Sequence, residues 1–306
     1  IVRGSIWQKE KVSDEFKQAQ ATFDIRLNSD HTEYYIYRLK SGANTDGATI
    51  TIPDSVDGIP VTRLIDRDLG FSSYNNISKL IIGKNISYIG TKSTISSDET
   101  QELGDDFFSL ATSLTAIEVS LENTSFSSHN GILYNKDQTV LLRYPASKTM
   151  SNQQASHRFV IPNTVILIYE KAFSLNLTLE MITFGENVET IGDEAFSGCE
   201  NLVNVNFNNA PIKSIGTKAF ERCHSLDTIV LPTQLEKLGS SVFMGCSQLV
   251  EIYFSNTILE IGRNCFTGCT SLETIYTDFD FVDQLKVIFA QNNEKFIDYI
   301  TGTSRN

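Results

Sequence analysis

Five cysteines, four histidines and a group of clustered carboxylates are the side chains of this 306-residue chain that could carry chemistry. Cys199, Cys223, Cys246 and Cys269 recur at nearly constant spacing, with Cys265 close by, which raises the question of a metal or redox site. The spacing argues against one. If each thiol sits at the same place in successive stacked units, equivalent atoms lie ~4.8 Å apart and point the same way. A disulfide needs facing Cβ atoms ~3.8 Å apart, and zinc needs a tetrahedron rather than a straight column. The expectation is a column of buried thiols packing as small hydrophobes, all five reduced.

His31, His129, His157 and His224 are scattered, and neither H-x-x-x-H nor H-E-x-x-H occurs. A nucleophile elbow and a phosphate-binding glycine loop are also missing from the sequence. Asp98, Glu99, Glu102, Asp105 and Asp106 share one polar stretch. Acid–base work by two carboxylates needs a fixed separation on a rigid frame, which neighbours on a loop do not offer. The sequence therefore predicts no catalytic residue, no metal site and no cofactor. Sequons occur at Asn76, Asn85, Asn123 and Asn176 and matter only in a secretory pathway that glycosylates.

What positions the cysteines is a repeat. From Leu179 the chain reads LEMITFGENVETIGDEAFSGCEN, LVNVNFNNAPIKSIGTKAFERCHS, LDTIVLPTQLEKLGSSVFMGCSQ and LVEIYFSNTILEIGRNCFTGCTS, then opens again with LETIYTDF. The second copy carries one extra residue. Leu179, Leu202, Leu226, Leu249 and Leu272 open the copies, and Phe196, Phe220, Phe243 and Phe266 recur within them. A fixed period in this range is the mark of a solenoid. The L-x-x-I-x-F segment alternates as a short strand. The I-G-x-x-A-F-x-x-C segment, with apolar residues three or four apart, predicts a helical or 3₁₀ turn with one buried face. The apolar side chains of one copy cannot offset the ordering of its own backbone, so copies must stack and the array needs special ends.

The I-G-x-x-A-F-x-x-C-x-x-L-x-x-I-x-L/F pattern resembles the BspA-like leucine-rich repeat family of microbial surface proteins. The likeness is clear over 159–279 and weaker from about 48. It implies a leucine-rich repeat solenoid, an α+β repeat, with a cell-surface or secreted role in adhesion.

The period predicts about eight coils of about 23 residues over 48–278, with inserts at about 91–106 and 122–158. Within the second insert, GILYNKDQTVLLRYP predicts a hairpin. Residues 1–47 are expected to form a leader and a β-hairpin cap. In that hairpin Phe23, Ile25 and Leu27 share a face with Tyr35, Tyr37 and Leu39, leaving Tyr34 and Ile36 on the other. Over 279–306 the period breaks, and Phe281, Leu285, Ile288 and Phe289 mark one face of a C-terminal helical cap.

With L, I and F inward, the outward strand positions form two columns. One is Met181, Asn204, Thr228, Glu251 and Thr274; the other is Thr183, Asn206, Val230, Tyr253 and Tyr276. The candidate ligand-binding face comprises Tyr253, Tyr276, Val230, Asn206, Asn204, Glu251, Thr228 and Thr274, since tyrosines on a rigid sheet offer large contact area at low entropic cost. Isolated exposed tyrosines are also ordinary on strands.

Net charge is −12 and the sequence has no basic run, which argues against nucleic acid. No apolar run approaches the length of a membrane-spanning helix, and IVRGSIWQKEKV lacks the apolar core of a signal peptide. Three readings follow: a non-enzymatic surface or secreted protein that presents its strand face to a protein ligand such as a host matrix or serum protein; a glycan-binding module using Tyr253 and Tyr276; and a structural spacer.

Overall fold

The computed structural model describes residues 13–40, 48–65, 77–90, 108, 111–148, 157–291 and 296–303. The insert at about 91–106 lies outside them. The chain winds as a β-solenoid of about nine turns with one C-terminal helix, where the spacing alone counted eight. Each regular coil contributes two short parallel strands. The L-x-x-I-x-F segments supply a first ladder: Arg158–Val160, Met181–Thr183, Asn204–Asn206, Thr228–Val230, Glu251–Tyr253 and Thr274–Asp278.

A second ladder runs through Val140–Arg143, Leu167–Ile168, Thr190–Ile191, Ser214–Ile215, Lys237–Leu238 and Glu260–Ile261. Val140–Arg143 belongs to the insert hairpin; the later members end at the residue that opens the stretch expected to be helical. The conserved-register isoleucine closes a strand, and A-F-x-x-C rounds the corner as successive turns. Lys171, Glu194, Lys218, Ser241 and Asn264, each directly before the Ala position, have φ between 54° and 60° except Glu194 at 53°. Leu175, Gly198, Arg222, Gly245 and Gly268, two residues past the phenylalanine, are left-handed as well. Two left-handed residues per corner cannot belong to a right-handed helix. Their amides bond across coils instead: Phe173 N donates to Ala195 O at 2.7 Å and Phe196 N to Ala219 O at 2.7 Å. Coils also approach closely beside the second ladder, where a Cβ on Gly239 would lie 2.5 Å from Thr217 N and 2.6 Å from Gly216 C. Only glycine fits there.

The phenylalanines build the spine of the core. Phe173, Phe196, Phe220, Phe243, Phe266 and Phe289 stack in one column, with centroids 4.7, 5.1, 5.8, 6.0 and 5.7 Å apart in turn and ring planes within 15°. Phe289 comes from the helix Val282–Gln291, which buries Leu285, Ile288 and Phe289 on the last coil while Phe281 is half-buried. The helix therefore extends the ring stack past the end of the repeat. A strand at Ile300–Thr303 then pairs in parallel with Thr274–Asp278, an element the helical reading of 279–306 did not include.

The five cysteines are buried and unbridged. Four donate S–H to the phenylalanine carbonyl of the preceding coil: Cys199 to Phe173, Cys223 to Phe196, Cys246 to Phe220 and Cys269 to Phe243, at 3.1–3.3 Å. Burial pushes the Cys199 thiol up to about 12 and those of Cys223 and Cys246 well above the ordinary range. Reactivity requires the thiolate, so the folded protein should take no iodoacetamide adduct at mildly alkaline pH while the denatured chain takes five. Adducts on the native protein by intact mass would contradict this. Asn176 occupies the same column and is fully buried, its amide donating to Pro145 O and its carbonyl accepting from Leu179 N. Asn123 is likewise buried and bonded to Gly83 O and Ile86 O. These two sequons are structural amides with no room for a glycan.

The hairpin of the second insert forms as expected, Ile132–Asn135 against Val140–Arg143, with Phe126–His129 added on its other side. Arg143 turns inward where this hairpin meets the regular coils. It is buried and donates to the carbonyls of Lys171, Phe108 (3.1 Å) and Ser174 (3.2 Å). Burial lowers its pKa to about 10, so it remains a cation at neutral pH.

At the N-terminal end the helix Asp14–Thr22, capped by the Ser13 hydroxyl accepting from Phe16 N at 2.9 Å, precedes the hairpin Phe23–Leu27/Tyr34–Leu39. Here the structure reverses a face. Phe23, Ile25, Tyr34, Ile36 and Leu39 are buried, whereas Leu27 is exposed and Tyr35 and Tyr37 point outward. A register shift between Asp24 and Ile25 adds a bulge, and one residue of slip exchanges the faces of a strand.

Candidate functional site

The outward residues of the first ladder stand where strand alternation places them. Met181 pairs with Asn204 and Thr183 with Asn206; Thr228, Glu251 and Thr274 form one continuous column, and Val230, Tyr253 and Tyr276 the next. Asn204, Asn206, Thr228 and Val230 are exposed, and Glu251, Tyr253, Thr274 and Tyr276 are half-buried. In-register parallel pairing puts like residues on top of one another. The Tyr253 and Tyr276 rings accordingly stack at 4.5 Å and 18°. Tyr253 Oη donates to Glu251 Oε2 at 3.0 Å; partial burial first, and this carboxylate second, raise the Tyr253 pKa. The pair is held rigidly, but its ring faces are turned to each other.

The eight candidate residues do not lie on one uninterrupted sheet. Among the described residues, the ladder ending at Asn204–Asn206 does not pair with the one beginning at Thr228–Val230. A cleft of about 500 Å³ opens at the break, lined by Asn204, Asn206, Asn209, Asp227, Thr228 and Thr233 among others. Its cause is the extra residue of the second copy. Between Phe207 and Ile212 the chain must fit one residue more than in neighbouring coils, and it does so by setting Asn208 and Asn209 consecutively in the left-handed region (φ 49° and 58°). That turn displaces the strand end from the next coil. The 24-residue copy was the available signal, but the sequence alone does not say that a longer loop breaks a ladder. The site thus has two parts: a polar cleft lined by amides, hydroxyls and the Asp227 carboxylate (Asn204, Asn206, Thr228, with Val230 on its rim), and a tyrosine–carboxylate ridge (Glu251, Tyr253, Thr274, Tyr276).

The histidines do not converge on this face. His157 Nδ1 lies 2.6 Å from Glu180 Oε1, His31 sits in a turn at φ 60°, and His129 ends a strand of the insert. Among the described residues, no helix is long and apolar enough to cross a membrane.

Comparison with known proteins agrees with this architecture. Residues 146–273 match the profile of a BspA type leucine rich repeat region in six copies. No curated protein matches the chain. The fold is similar to that of the pneumococcal vaccine antigen PcpA (TM-score 0.58, 18% identity, covering 93% of this chain and 100% of that one). It is similar also to a leucine rich cell surface protein from Faecalibacterium prausnitzii (TM-score 0.50, 18% identity, 84% of this chain and 93% of that one). At this identity the likeness is one of fold.

Proposed function

We propose that this chain, whose residues 146–273 match a BspA type leucine rich repeat region, is a non-enzymatic cell-surface or secreted protein that binds a protein ligand through its first-ladder face. The observation that carries the reading is the rigid ridge beside the cleft. Tyr253 and Tyr276 stack on one another, Glu251 anchors the first of them, Val230 continues their column, and Asn204 and Asn206 stand across the cleft. Side chains already held in place lose little entropy on binding, so a partner gains most from contacts of this kind. The leucine-rich repeat fold and the surface proteins that share it support an adhesive role toward a host matrix or serum protein.

The glycan reading gains less from the geometry. A sugar stacks on the face of an aromatic ring, and here the two inner faces are taken up by each other.

The test is a pull-down of matrix and serum proteins on immobilised wild type, on Tyr253→Ala/Tyr276→Ala, and on Asn204→Ala/Val230→Ala, with melts of each. Retention of a defined protein by wild type, weakened at least roughly tenfold (about 1.4 kcal/mol) in an equally stable ridge variant, is the expected outcome. Equal retention by both variants would remove this face from the reading. Retention of nothing by the wild type would leave the spacer.

A further inference from the structure

The face reversal in the N-terminal hairpin assembles a surface that no linear stretch reveals. Across four neighbouring strands, Arg26 stands opposite Tyr35, Tyr35 opposite Arg63, and Arg63 opposite Tyr88. The result is an alternating row of guanidinium groups and phenol rings, exposed at Arg26, half-buried at Tyr35 and Arg63, and buried at its Tyr88 end. Arg63 lies 4.9 Å from the Tyr35 ring centroid and 6.0 Å from that of Tyr88, and Arg26 lies 4.9 Å from that of Tyr37. Arg38 and Lys40 follow on the same hairpin.

Among the described residues, two acids face this row. Asp24 takes the fork of Arg26 at 2.9 and 3.2 Å and also reaches Arg38 at 3.5 Å. The Arg26 hydrogen bond, then the nearby Arg26, Arg38 and Lys40 charges, outweigh burial and hold its carboxyl below the usual range. Glu33 is bonded by the Thr62 hydroxyl. Arg63 has no carboxylate in ion-pairing range among the described residues. Among the described residues, four cations against two acids give a locally positive patch on a chain of net charge −12.

We propose that this sheet face binds a linear anionic polysaccharide, independently of the first-ladder face. Arg63, half-buried and pre-oriented between two rings, presents a guanidinium fork of the kind that grips sulfate or carboxylate oxygens in pairs. Stacked on tyrosine it has already lost most of its rotamer freedom, so anion binding costs little ordering. Arg26 and Arg63 are two strands apart, ~10 Å at the backbone, which suits charges repeated along an extended chain. Asp24, Glu33 and the acidic remainder of the molecule confine the positive patch to a few cations, which limits the contact to a short stretch of an anionic chain. The Tyr35 phenol supplies a hydrogen-bonding group for the hydroxyls between the charges. An acidic peptide would more naturally add to a strand edge, and this is a face.

The experiment titrates the full chain with a heparan sulfate oligosaccharide, with uncharged dextran and with polyglutamate, at low and at high salt. Binding of the sulfated sugar alone, weakened by salt, is expected, with a loss of roughly tenfold (about 1.4 kcal/mol) in Arg63→Gln. Arg63→Lys should fall nearly as far, because an ammonium lacks the fork and the stacking. Should Arg63→Gln fail to fold, Arg38→Gln/Lys40→Gln, at exposed positions, decides: it should weaken binding several-fold. No binding by wild type at low salt, unchanged affinity in the folded variants, or equal binding of polyglutamate would each overturn the proposal. Because the ridge variant Tyr253→Ala/Tyr276→Ala should titrate like wild type, failure here is distinguishable from failure of the protein-ligand reading.

Discussion

Replacing Phe220 with alanine should cost about 3–5 kcal/mol of unfolding free energy, as for other buried aromatic truncations. Phe220 is fully buried between Phe196 at 5.1 Å and Phe243 at 5.8 Å, with Phe207 against its edge at 6.5 Å. Truncation removes one ring from the middle of a six-ring column, and neighbouring coils resist collapse into the gap because their backbones are held by the second ladder, which is continuous there. A solenoid is held together by contacts between adjacent coils. The cavity therefore also weakens the coupling between the two sides of the array, and the Asn204–Asn206/Thr228–Val230 break lies beside it. Guanidinium unfolding followed by circular dichroism should show a lower midpoint and a broadened or split transition. A single transition within about 1 kcal/mol of wild type would mean that the ring column is not what couples the coils.

Arg143→Ala should be nearly as damaging, about 3–5 kcal/mol, the range seen when one partner of a buried charged network is removed. The side chain joins the insert hairpin to the first regular coil through the carbonyls of Lys171 and Ser174, and to the preceding segment through that of Phe108. Alanine leaves these acceptors without their donor, and an unmet buried polar group costs ~1–3 kcal/mol. Arg143→Lys should recover only part of the loss, because a single ammonium cannot spread over three acceptors set by a planar fork. Chemical denaturation of both variants decides the matter. An alanine variant as stable as wild type would show that the coils dock without this bridge.

Arg143 is also an instance of what could not be read beforehand. In the sequence it is one arginine in an alternating strand, L-L-R-Y, where the ordinary expectation is a solvated charge. Its inward direction follows from where the hairpin meets the next coil, which is a property of the packed molecule. The Arg26–Tyr35–Arg63–Tyr88 row is similar: its members are spread over 63 positions of chain (88 − 26 + 1), and a bulge between Asp24 and Ile25 decides which tyrosines face out. Hydrophobic alternation in YYIYRL fits either face, since both carry tyrosine.

The regular coils are the opposite case. Leucine, isoleucine, phenylalanine and cysteine return every 23 or 24 residues, and a repeat that strict has few ways to bury all its copies other than by stacking them in register. Register in turn fixed the two outward columns, the thiol column and the tyrosine pair, because each residue must lie over its counterpart one coil earlier. The sequence by itself thus determined the solenoid, its inward residues and the composition of its strand face. Tertiary structure alone decided whether a corner is helix or turn, which depends on left-handed residues and hydrogen bonds to the adjacent coil. It also decided where one extra residue opens the ladder into a cleft, and which face a bulged hairpin shows to solvent. The physical reason is the range of the forces involved. Periodic burial repeats along the chain and is visible there, whereas a bulge, a broken ladder or a buried cation is a compromise between segments distant in sequence.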